Sequence, residues 1–522
     1  MKKNYLIFII MLLISGVISC ILGCDCIWDL YSYHYYNAFA VLNNKIGYDL
    51  MPAGIQSYLN PVLDVIDYLI INTFRYNKEL VLFLLGIPYG CFTFLSYLVN
   101  KKLFSQISKN DVINKALIIF ATVIGASECF IISEVGTAYH DINIGIFILL
   151  MLLFVLNYLE KEKIKYLYYA GFFGGMACGF KLVAIPYFFA LLLTFVICNI
   201  KTGFKSILKN TFIIIIFGFL GFMLIDGYWM YILWQKFHNP VFPMYNSIFK
   251  SEWYTYVNYK DLKFADIYME KILFYPFIWS NIEPNKVAEL SFFDFRHSFA
   301  YISVLFSSIW LIIQYKKEKF ISVCEKKQIF VIIFILLSYL FWVNKFGILR
   351  YFIPVLILSG TVITIFISKI KFFINNKNYL IVLLVILLGV SFIKYKTPAW
   401  GRSDDLIYPT SLPIRRNSVV FIYGKPIGFL AANNYPKTRF IYLYDDIDGN
   451  DKNFTPSKNY YDYVDKIIQN KRKYIIRTKH EYNKNTDFHK YIKNKYIKNH
   501  KLKCKKEKLY YWTYVYFCEY LD

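Results

Sequence analysis

The chain has 522 residues, of which 57% are hydrophobic and 20% aromatic, and its formal net charge is +24. The apolar residues gather in runs of roughly twenty, the length that crosses the hydrocarbon core of a bilayer, and this excludes a soluble globular protein. Most Lys and Arg among the first 400 residues lie in short loops between these runs, where they set membrane topology, so a nucleic-acid partner is excluded as well.

The first apolar run, residues 5–23, follows two lysines and predicts an uncleaved first helix that begins inside the cell. A cleaved signal or lipoprotein signal ending near Cys20 is the alternative for this stretch. Later runs predict a polytopic bundle of about eleven helices in total. These later runs are residues 80–99, 116–133, 142–159, 166–180, 182–200, 212–231, 299–313, 329–343, 351–368 and 379–393.

If the N-terminus lies inside and each apolar run crosses the membrane once, alternate loops lie inside. These inside loops are basic, as the positive-inside rule requires. Their lysines are Lys101, Lys102, Lys161, Lys163, Lys165, Lys201, Lys205, Lys316, Lys317, Lys319, Lys369 and Lys371. The same alternation places residues 24–78, residues 232–297 and the tail after about Lys396 at the outer face. The basic charge of the tail favours the cytoplasm, but long domains cross a membrane largely regardless of charge, and helix parity places the tail outside.

The tail predicts a small soluble domain after the transmembrane domain of residues 1–396. Its runs SVVFIYG, TRFIYLY, KYIIRT and LYYWTYVYF predict strands, and residues 460–471 predict an amphipathic helix, so residues 397–522 form a compact α/β unit. The predicted fold class is therefore mainly α, with a polytopic helical bundle and an α/β C-terminal domain. Cys504 and Cys518 lie in this tail and either pair or remain free thiols.

The loop after the first helix contains the motif WDLYSYHYYN, in which an acid, an imidazole, phenols and an amide stand close together. Asp29 suits a general base or a metal ligand, with Tyr33, His34 and Asn37 near enough in sequence to share a pocket. The alternative is a solvated acid beside an interfacial belt of aromatic residues. The convergence of these groups in ten residues favours a functional site.

A second polar motif, GTAYHDIN, lies at the outer end of the third run. His140 and Asp141 stand where a helix enters the membrane, and ionisable groups near bilayer depth suggest function because they are costly there. Asp141 fits a plain helix cap equally well. Glu128 and Glu134, around the preceding helix end, face the same choice.

Two cations stand at predicted outer boundaries. Lys181 in GFKLVAIP lies in a tight turn between two apolar runs, where it suits a lipid phosphate or simply extends towards the headgroups. Arg350 in ILRYFIP, followed by Tyr351, runs against the positive-inside bias, which favours an anion-binding role.

The large outer loop supplies the remaining candidates. Two prolines in HNPVFPMYNSIFKSEWY preclude a regular helix, so Asn239, Tyr245 and Asn246 occupy a shaped loop. Amides and aromatic rings of this kind suit sugar hydroxyls and ring faces, although such residues are also ordinary in loops. Arg296 in FFDFRHS precedes the eighth run and is a further candidate for substrate binding.

With these motifs together, the whole chain resembles the integral-membrane glycosyltransferases of the GT-C superfamily. The resemblance rests on the acidic first loop, the second acidic site at His140 and Asp141, NPVFPMYN, RYFIP and the C-terminal outer domain. It is particularly similar to bacterial GT-C-like proteins with a WDLxNYHxYN-type first loop, in which Ser32 replaces the usual Asn.

The resemblance implies a polyprenyl-phosphate-linked sugar donor, a lipid or glycan acceptor, and transfer at the outer face of the bacterial cytoplasmic membrane. Asp29 would deprotonate the acceptor, with His34 and Asp141 as further catalytic groups. Lys181 and Arg350 would stabilise the departing phosphate. Some GT-C enzymes use a divalent metal at the two acidic sites, here Asp29 and Asp141, and others do not.

Three other functions compete. A transporter or flippase of lipid-linked sugars would show repeated halves and charges in the middle of helices, whereas here the charges gather at outer helix ends. A polysaccharide polymerase or ligase also uses polyprenyl donors, but the acidic first loop fits it less well. A membrane protein without catalysis would leave the outer Asp, His and Arg residues unexplained.

Overall fold

The computed structural model describes residues 2–259, 264, 274–281, 286–317, 322–409, 412–433, 437–443, 454–478, 494–510 and 513–521. Lys319, parts of the predicted outer loop 232–297 and two residues of the run LYYWTYVYF lie outside this range. The chain divides into two compact units. We call one the helical unit (Met1–Gly23, Glu79–Asp226 and Phe264–Trp400) and the other the mixed unit (Cys24–Lys78, Gly227–Lys263 and Gly401–Asp522).

Helices occupy every apolar run predicted from the sequence, which confirms the mainly helical class. The longer described helices are Lys2–Leu22, Lys78–Phe104, Asp111–Ala126, Asp141–Lys161, Lys165–Phe180, Ile185–Cys198, Phe204–Phe237, Arg296–Lys317, Val323–Lys345, Ser359–Ser368 and Lys377–Ser391. In the described part of the chain, five helices are long and apolar enough to cross a membrane, or six if the bent pair Leu349–Leu356 and Ser359–Ser368 is one span.

The apolar run at residues 116–133 is not one continuous helix, and this part of the prediction is wrong. Helix Asp111–Ala126 ends before Ser127, and a short helix, Cys129–Glu134, follows. The Glu128 carboxylate caps the short helix by accepting the N–H groups of Phe130 and Ile131, both at 3.0 Å. Hydropathy cannot reveal such a break, because the residues on both sides of it are equally apolar.

Glycines bring helix Lys165–Phe180 against helix Phe204–Phe237 within the helical unit. A Cβ atom at Gly175 would collide with the backbone carbonyl of Gly218. Only glycine therefore permits this close approach of two backbones, as in many membrane helix pairs. The approach fixes the helix whose C-terminal end carries Lys181.

The mixed unit contains a five-stranded sheet. The strands are β1 Ser418–Tyr423, β2 Arg439–Leu443, β3 Arg472–Thr478, β4 Leu502–Tyr510 and β5 Thr513–Tyr520. Their order in the sheet is β2-β1-β3-β5-β4. The three strands β2, β1 and β3 are parallel, and β5 and β4 continue the sheet as antiparallel neighbours. Helix Lys458–Ile467 precedes β3, as the amphipathic pattern predicts.

The predicted single strand LYYWTYVYF is wrong, because its residues divide between β4 and β5. The sequence of β4, LKCKKEKLY, contains four lysines, a composition that discourages a strand prediction. Its place at the edge of the sheet explains them, since lysine on an edge strand prevents further pairing. Cys504 and Cys518 stand opposite each other on this hairpin and form a disulfide.

The first loop and residues 227–263 are built into the mixed unit by backbone hydrogen bonds. The N–H of Leu50 donates to the carbonyl of Phe440 at 2.8 Å, and that of Thr255 donates to Thr455 at 2.9 Å. Segments joined in this way must occupy the same compartment. The three segments of the mixed unit therefore fold together.

Asp49 lies at the junction between the first loop and β2. It is 2% exposed, and its carboxylate accepts the N–H of Phe440 at 2.9 Å and the hydroxyl of Tyr36 at 3.2 Å. Burial raises the pKa of Asp49 to about 6, although Lys45 and these two hydrogen bonds oppose the rise. The folded state therefore favours the protonated acid more than the unfolded chain does.

This pKa predicts how stability depends on pH. Because the folded pKa of Asp49 exceeds the unfolded value of about 4, the free energy of unfolding should fall by about 3 kcal/mol between pH 4 and pH 6 and then stay level. Asp49→Asn should remove this decline from thermal unfolding curves recorded in detergent. The exposed Asp404→Asn should keep the wild-type decline, and equal slopes in wild type and Asp49→Asn would contradict the prediction.

Candidate active site

Four charged side chains belong to one cluster in the helical unit, and three of them were predicted from the sequence. The ammonium of Lys181 donates to Asp141 Oδ1 at 2.5 Å and to the Tyr139 carbonyl at 3.2 Å. The Arg350 Nε atom lies 3.9 Å from Asp141 Oδ2. Glu134 is the fourth member, since the charges of Asp141, Arg350 and Lys181 all act on its carboxyl group.

Helix ends place Asp141 and Lys181. Asp141 is the first residue of helix Asp141–Lys161, after His140 in the left-handed conformation with φ 63°. Histidine enters this region more readily than most residues, and its Nδ1 atom lies 3.1 Å from Asn143 Nδ2. Lys181 follows the end of helix Lys165–Phe180, and a one-turn connection leads to the next helix at Ile185, which confirms the predicted turn.

Aromatic rings surround the two cations. The guanidinium carbon of Arg350 is 4.0 Å from the Tyr139 ring centroid, and the Lys181 ammonium is 4.8 Å from that of Tyr351. The Tyr187 hydroxyl donates to the Tyr351 carbonyl and so fixes the turn that contains Arg350. Such rings hold cations and exclude water, which strengthens electrostatic interactions in the cluster.

Glu134 stands out among the buried polar groups. It is 2% exposed, and neither of its carboxylate oxygens has a hydrogen-bond partner among the described residues. The same holds for Asp141 Oδ2. Burial and the charge of Asp141 raise the pKa of Glu134, whereas Arg350 and Lys181 lower it. Buried acceptors without donors are rare, so these three oxygens are suited to a cation or to hydroxyl groups.

The first-loop candidates lie in the mixed unit. Asp29 is half-buried, and its Oδ2 atom accepts the Tyr33 hydroxyl at 3.2 Å. His34 pairs with Asp64, with 2.7 Å between Nδ1 and Oδ1, and Asn37 donates to the Gln56 carbonyl at 2.9 Å. Residues 30–34 form a wide π-helical turn, a geometry frequent at functional sites. Asp64 was not predicted, although it follows the NP dipeptide that closes the same loop.

The amides of the large outer loop hold that loop together. Asn246 donates to the carbonyls of Ser251, Tyr254 and Thr255 at 3.0–3.1 Å. Asn239 caps its own turn by accepting the Val241 N–H at 3.0 Å. Tyr245 is 53% exposed. Sugar binding by these three residues stays a prediction, and only Tyr245 presents a large exposed surface.

A second buried polar cluster of the helical unit has ligand atoms close enough together to hold a metal ion. It consists of Glu128, Cys129, Asp294 and His297. Trp279 donates to His297 Nδ1 at 3.0 Å, so the ring proton is on Nε2, which donates to Glu128 at 2.8 Å. A neutral histidine in this tautomer has no Nε2 lone pair to offer to a metal.

Arg296 belongs to the same cluster. It is 1% exposed and contacts both oxygens of Asp294, at 2.7 and 2.5 Å. Its remaining nitrogen donates to the Ile124 carbonyl at 3.2 Å and the Ser127 hydroxyl at 2.7 Å. The geometry therefore gives Arg296 a role in joining helices, and the predicted substrate contact gains no support from it.

An apolar cavity lies in the helical unit. Its walls are aromatic and aliphatic side chains of several helices, among them Trp279, Tyr301, Tyr339 and Phe352. Phe352 follows Arg350 by two residues in the turn Leu349–Phe352. The turn Leu349–Phe352 therefore contains both a cation of the charged cluster and a residue that lines the cavity.

Comparison with known proteins gives a match to a family model over part of the chain and a likeness in fold. Residues 114–231, less than a quarter of the chain, match the family model described as dolichyl-phosphate-mannose-protein mannosyltransferase, a GT-C family. No curated protein sequence matches the chain. The matched segment contains Glu134, Asp141 and Lys181.

Two solved structures of the oligosaccharyltransferase from Archaeoglobus fulgidus are similar over most of the chain. AglB in complex with an inhibitory peptide and a dolichol-phosphate has 12% identity and a TM-score of 0.50, covering 91% of this chain and 70% of its own. The enzyme in complex with Zn and sulfate has 12% identity and a TM-score of 0.47, with coverage of 90% and 68%. At this identity the likeness concerns the fold. The family match over residues 114–231, the likeness in fold and the apolar helices make this chain similar to multi-pass membrane glycosyltransferases of the GT-C superfamily.

Proposed function

We propose that the protein transfers a sugar from a polyprenyl-phosphate-linked donor to a lipid or glycan acceptor at the outer face of a bacterial cytoplasmic membrane. The observation that carries this proposal is the cluster of Lys181 and Arg350 with the buried carboxylates of Asp141 and Glu134. Two cations beside aromatic rings at helix ends suit a lipid phosphate better than any other ligand of this membrane region.

The proposed reaction sets the role of the two cations. The acceptor oxygen forms a bond to the anomeric carbon of the sugar, and the bond from that carbon to the phosphate oxygen breaks. The electron pair leaves with the polyprenyl phosphate. Lys181 and Arg350 stabilise the negative charge that develops there, in a buried setting where such interactions are strong. Tyr351, beside the Lys181 ammonium, keeps this cation in place.

Asp29 is the proposed base. Its carboxylate would take the proton of the acceptor hydroxyl as the new bond forms. The hydrogen bond from Tyr33 orients the carboxylate from the adjoining helical turn. Proton removal is necessary in any transfer to a hydroxyl group, and the first loop offers its carboxylate and imidazole in a single motif.

The acidic groups of the helical unit fit a divalent cation. Both Glu134 oxygens and Asp141 Oδ2 lack hydrogen-bond donors among the described residues, and carboxylate oxygens are the ligands that Mg²⁺ and Mn²⁺ prefer. Glu134 and Asp141, which both belong to the helical unit, would hold the ion. Asp29, the other metal ligand that the resemblance implies, belongs to the mixed unit. When bound, such an ion supplies positive charge for the phosphate. The fully ionised cluster is neutral without it, having two carboxylates and two cations.

The apolar cavity supports a lipid-linked donor. Its wall residue Phe352 and the cation Arg350 share one turn, so a phosphate at Arg350 would have an apolar space nearby for an isoprenoid chain. The similar AglB structure contains a dolichol-phosphate, which is a lipid of this class. A donor without a lipid would leave the cavity without a role.

Mass spectrometry of cell-envelope glycans and lipids, with and without the gene, tests the proposal. The deletion strain should lose one sugar-bearing species and accumulate the matching polyprenyl-phosphate sugar. Re-expression of the wild-type chain should restore the species. Unchanged envelope glycans and lipids in the deletion strain would overturn the proposed function.

A further inference from the structure

A buried histidine–aspartate pair in the mixed unit contains a residue, Asp64, to which the proposed function gives no role. His34 Nδ1 and Asp64 Oδ1 are 2.7 Å apart, and the two side chains are only 7% and 4% exposed. Thirty residues separate them in sequence, and Asp64 lies on helix Val62–Thr73, whereas His34 ends the π-helical turn. Tertiary packing therefore brings His34 and Asp64 together, since they are far apart in sequence.

The pair defines which nitrogen of the imidazole is basic. An ionised carboxylate only accepts hydrogen bonds, so the Nδ1 atom facing Asp64 must carry a proton. In the neutral ring, Nε2 is then the atom that can take a further proton. Asp64 thereby holds the ring in the orientation and tautomer that a general base requires.

The pair also adjoins the proposed base. The ring centroids of His34 and Tyr33 are 4.0 Å apart, and the Tyr33 hydroxyl donates to Asp29 at 3.2 Å. Asp64, His34, Tyr33 and Asp29 are therefore a contiguous set within the mixed unit.

We propose that Asp64 is a positioning residue that holds His34 ready to receive, at Nε2, the proton released from the acceptor hydroxyl. This inference rests on the proposed glycosyl transfer and deepens it. Asp29 remains the group that contacts the hydroxyl. As the acceptor oxygen bonds to the anomeric carbon and the phosphate leaves, Asp29 takes the proton and passes it on to His34.

Four variants of the full-length protein test the proposal in the deletion strain. The readout is the abundance of the species lost on deletion, normalised to folded protein in detergent. Asp64→Asn and His34→Gln should each lower it roughly a hundredfold, and Asp64→Glu should restore part of it. Asp67→Asn, which removes a half-buried carboxylate from the same helix, is the matched control and should behave as wild type.

Nitrogen NMR of the histidine-labelled protein gives a second readout that needs no substrate. The His34 signals are those missing from His34→Gln. The wild type should show the proton on Nδ1, and Asp64→Asn should shift the population towards Nε2–H, because an amide can donate as well as accept. A wild-type Nε2–H tautomer, or wild-type transfer by Asp64→Asn, would overturn the proposal. If deletion leaves the envelope unchanged, the proposed function fails, and the tautomer still decides the role of Asp64 in holding His34.

Discussion

Asp29→Asn should abolish sugar transfer and leave folding and membrane insertion intact. A general base contributes about 10²- to 10⁴-fold to a rate, and the amide cannot take a proton from a hydroxyl group. The amide oxygen can still accept the hydrogen bond that Tyr33 donates to Asp29 at 3.2 Å, so the helical turn should keep its shape. The measurement is the envelope species lost in the deletion strain, with folded protein quantified by size exclusion in detergent.

Asp25→Asn is the matched control for this experiment. Asp25 lies four residues earlier in the same loop, and its Oδ1 atom accepts the N–H of Ile27 at 2.9 Å, a bond that asparagine also makes. This variant should retain wild-type transfer. Normal amounts of the envelope species in Asp29→Asn would remove Asp29 from the catalytic assignment.

Removal of either cation from the charged cluster should have an effect of similar size. Lys181→Met and Arg350→Gln should each lower transfer by about 10²- to 10³-fold, the usual loss when one donor to a developing negative charge is removed. Lys181→Arg should restore part of the activity, since it returns the charge. Lys165→Met, which removes an exposed lysine from the start of the same helix, should have no effect.

A double variant separates catalysis from stability at Lys181. Lys181→Met leaves the buried Asp141 without its closest partner, which costs about 3–5 kcal/mol in folded proteins. In Lys181→Met/Asp141→Asn both charges are gone, so the thermal midpoint in detergent should recover much of this loss while transfer stays low. Recovery of transfer together with stability would show that Lys181 acts only as the partner of Asp141.

Helix ends can be recognised in the sequence, so the site residues that lie at helix ends could be predicted from it. Asp141 begins an apolar run and Lys181 separates two others, so both had to lie at helix termini on one face. Glu134 and Asp64 could not be assigned in this way. Their significance depends on burial and on partners distant in sequence, and a lone carboxylate in an apolar context also fits a cap or a surface residue.

Arg296 and Asn246 are predicted substrate contacts whose side chains bind other parts of the protein. Each was chosen because a polar residue at an outer boundary suits a substrate, yet each is held inside the protein. The motif FFDFRHS already contained the partner of Arg296, since Asp294 stands two residues earlier. A charge with an opposite charge so near in sequence is a weaker candidate for ligand binding than one, such as Arg350, whose neighbours in sequence carry no opposite charge.

The elements of the fold that depend on composition were predicted from the sequence, and those that depend on packing were not. Long apolar runs predicted the helices, and the short runs SVVFIYG, TRFIYLY and KYIIRT predicted strands β1, β2 and β3. The break after Ala126 and the lysine-rich strand β4 depend on a cap and on an edge position. Neither leaves a periodic pattern that distinguishes it from its surroundings.

The joining of the first loop to β2 has a consequence for biosynthesis. Asp49 finds its backbone partner at Phe440, 391 residues later. At ordinary rates of translation this distance takes roughly 20 to 80 s to synthesise, and the loop must wait that long, already outside the first helix, before it can complete its structure. A chain that stops before residue 440 would retain its apolar helices but leave the first loop, and Asp29 with it, unfinished.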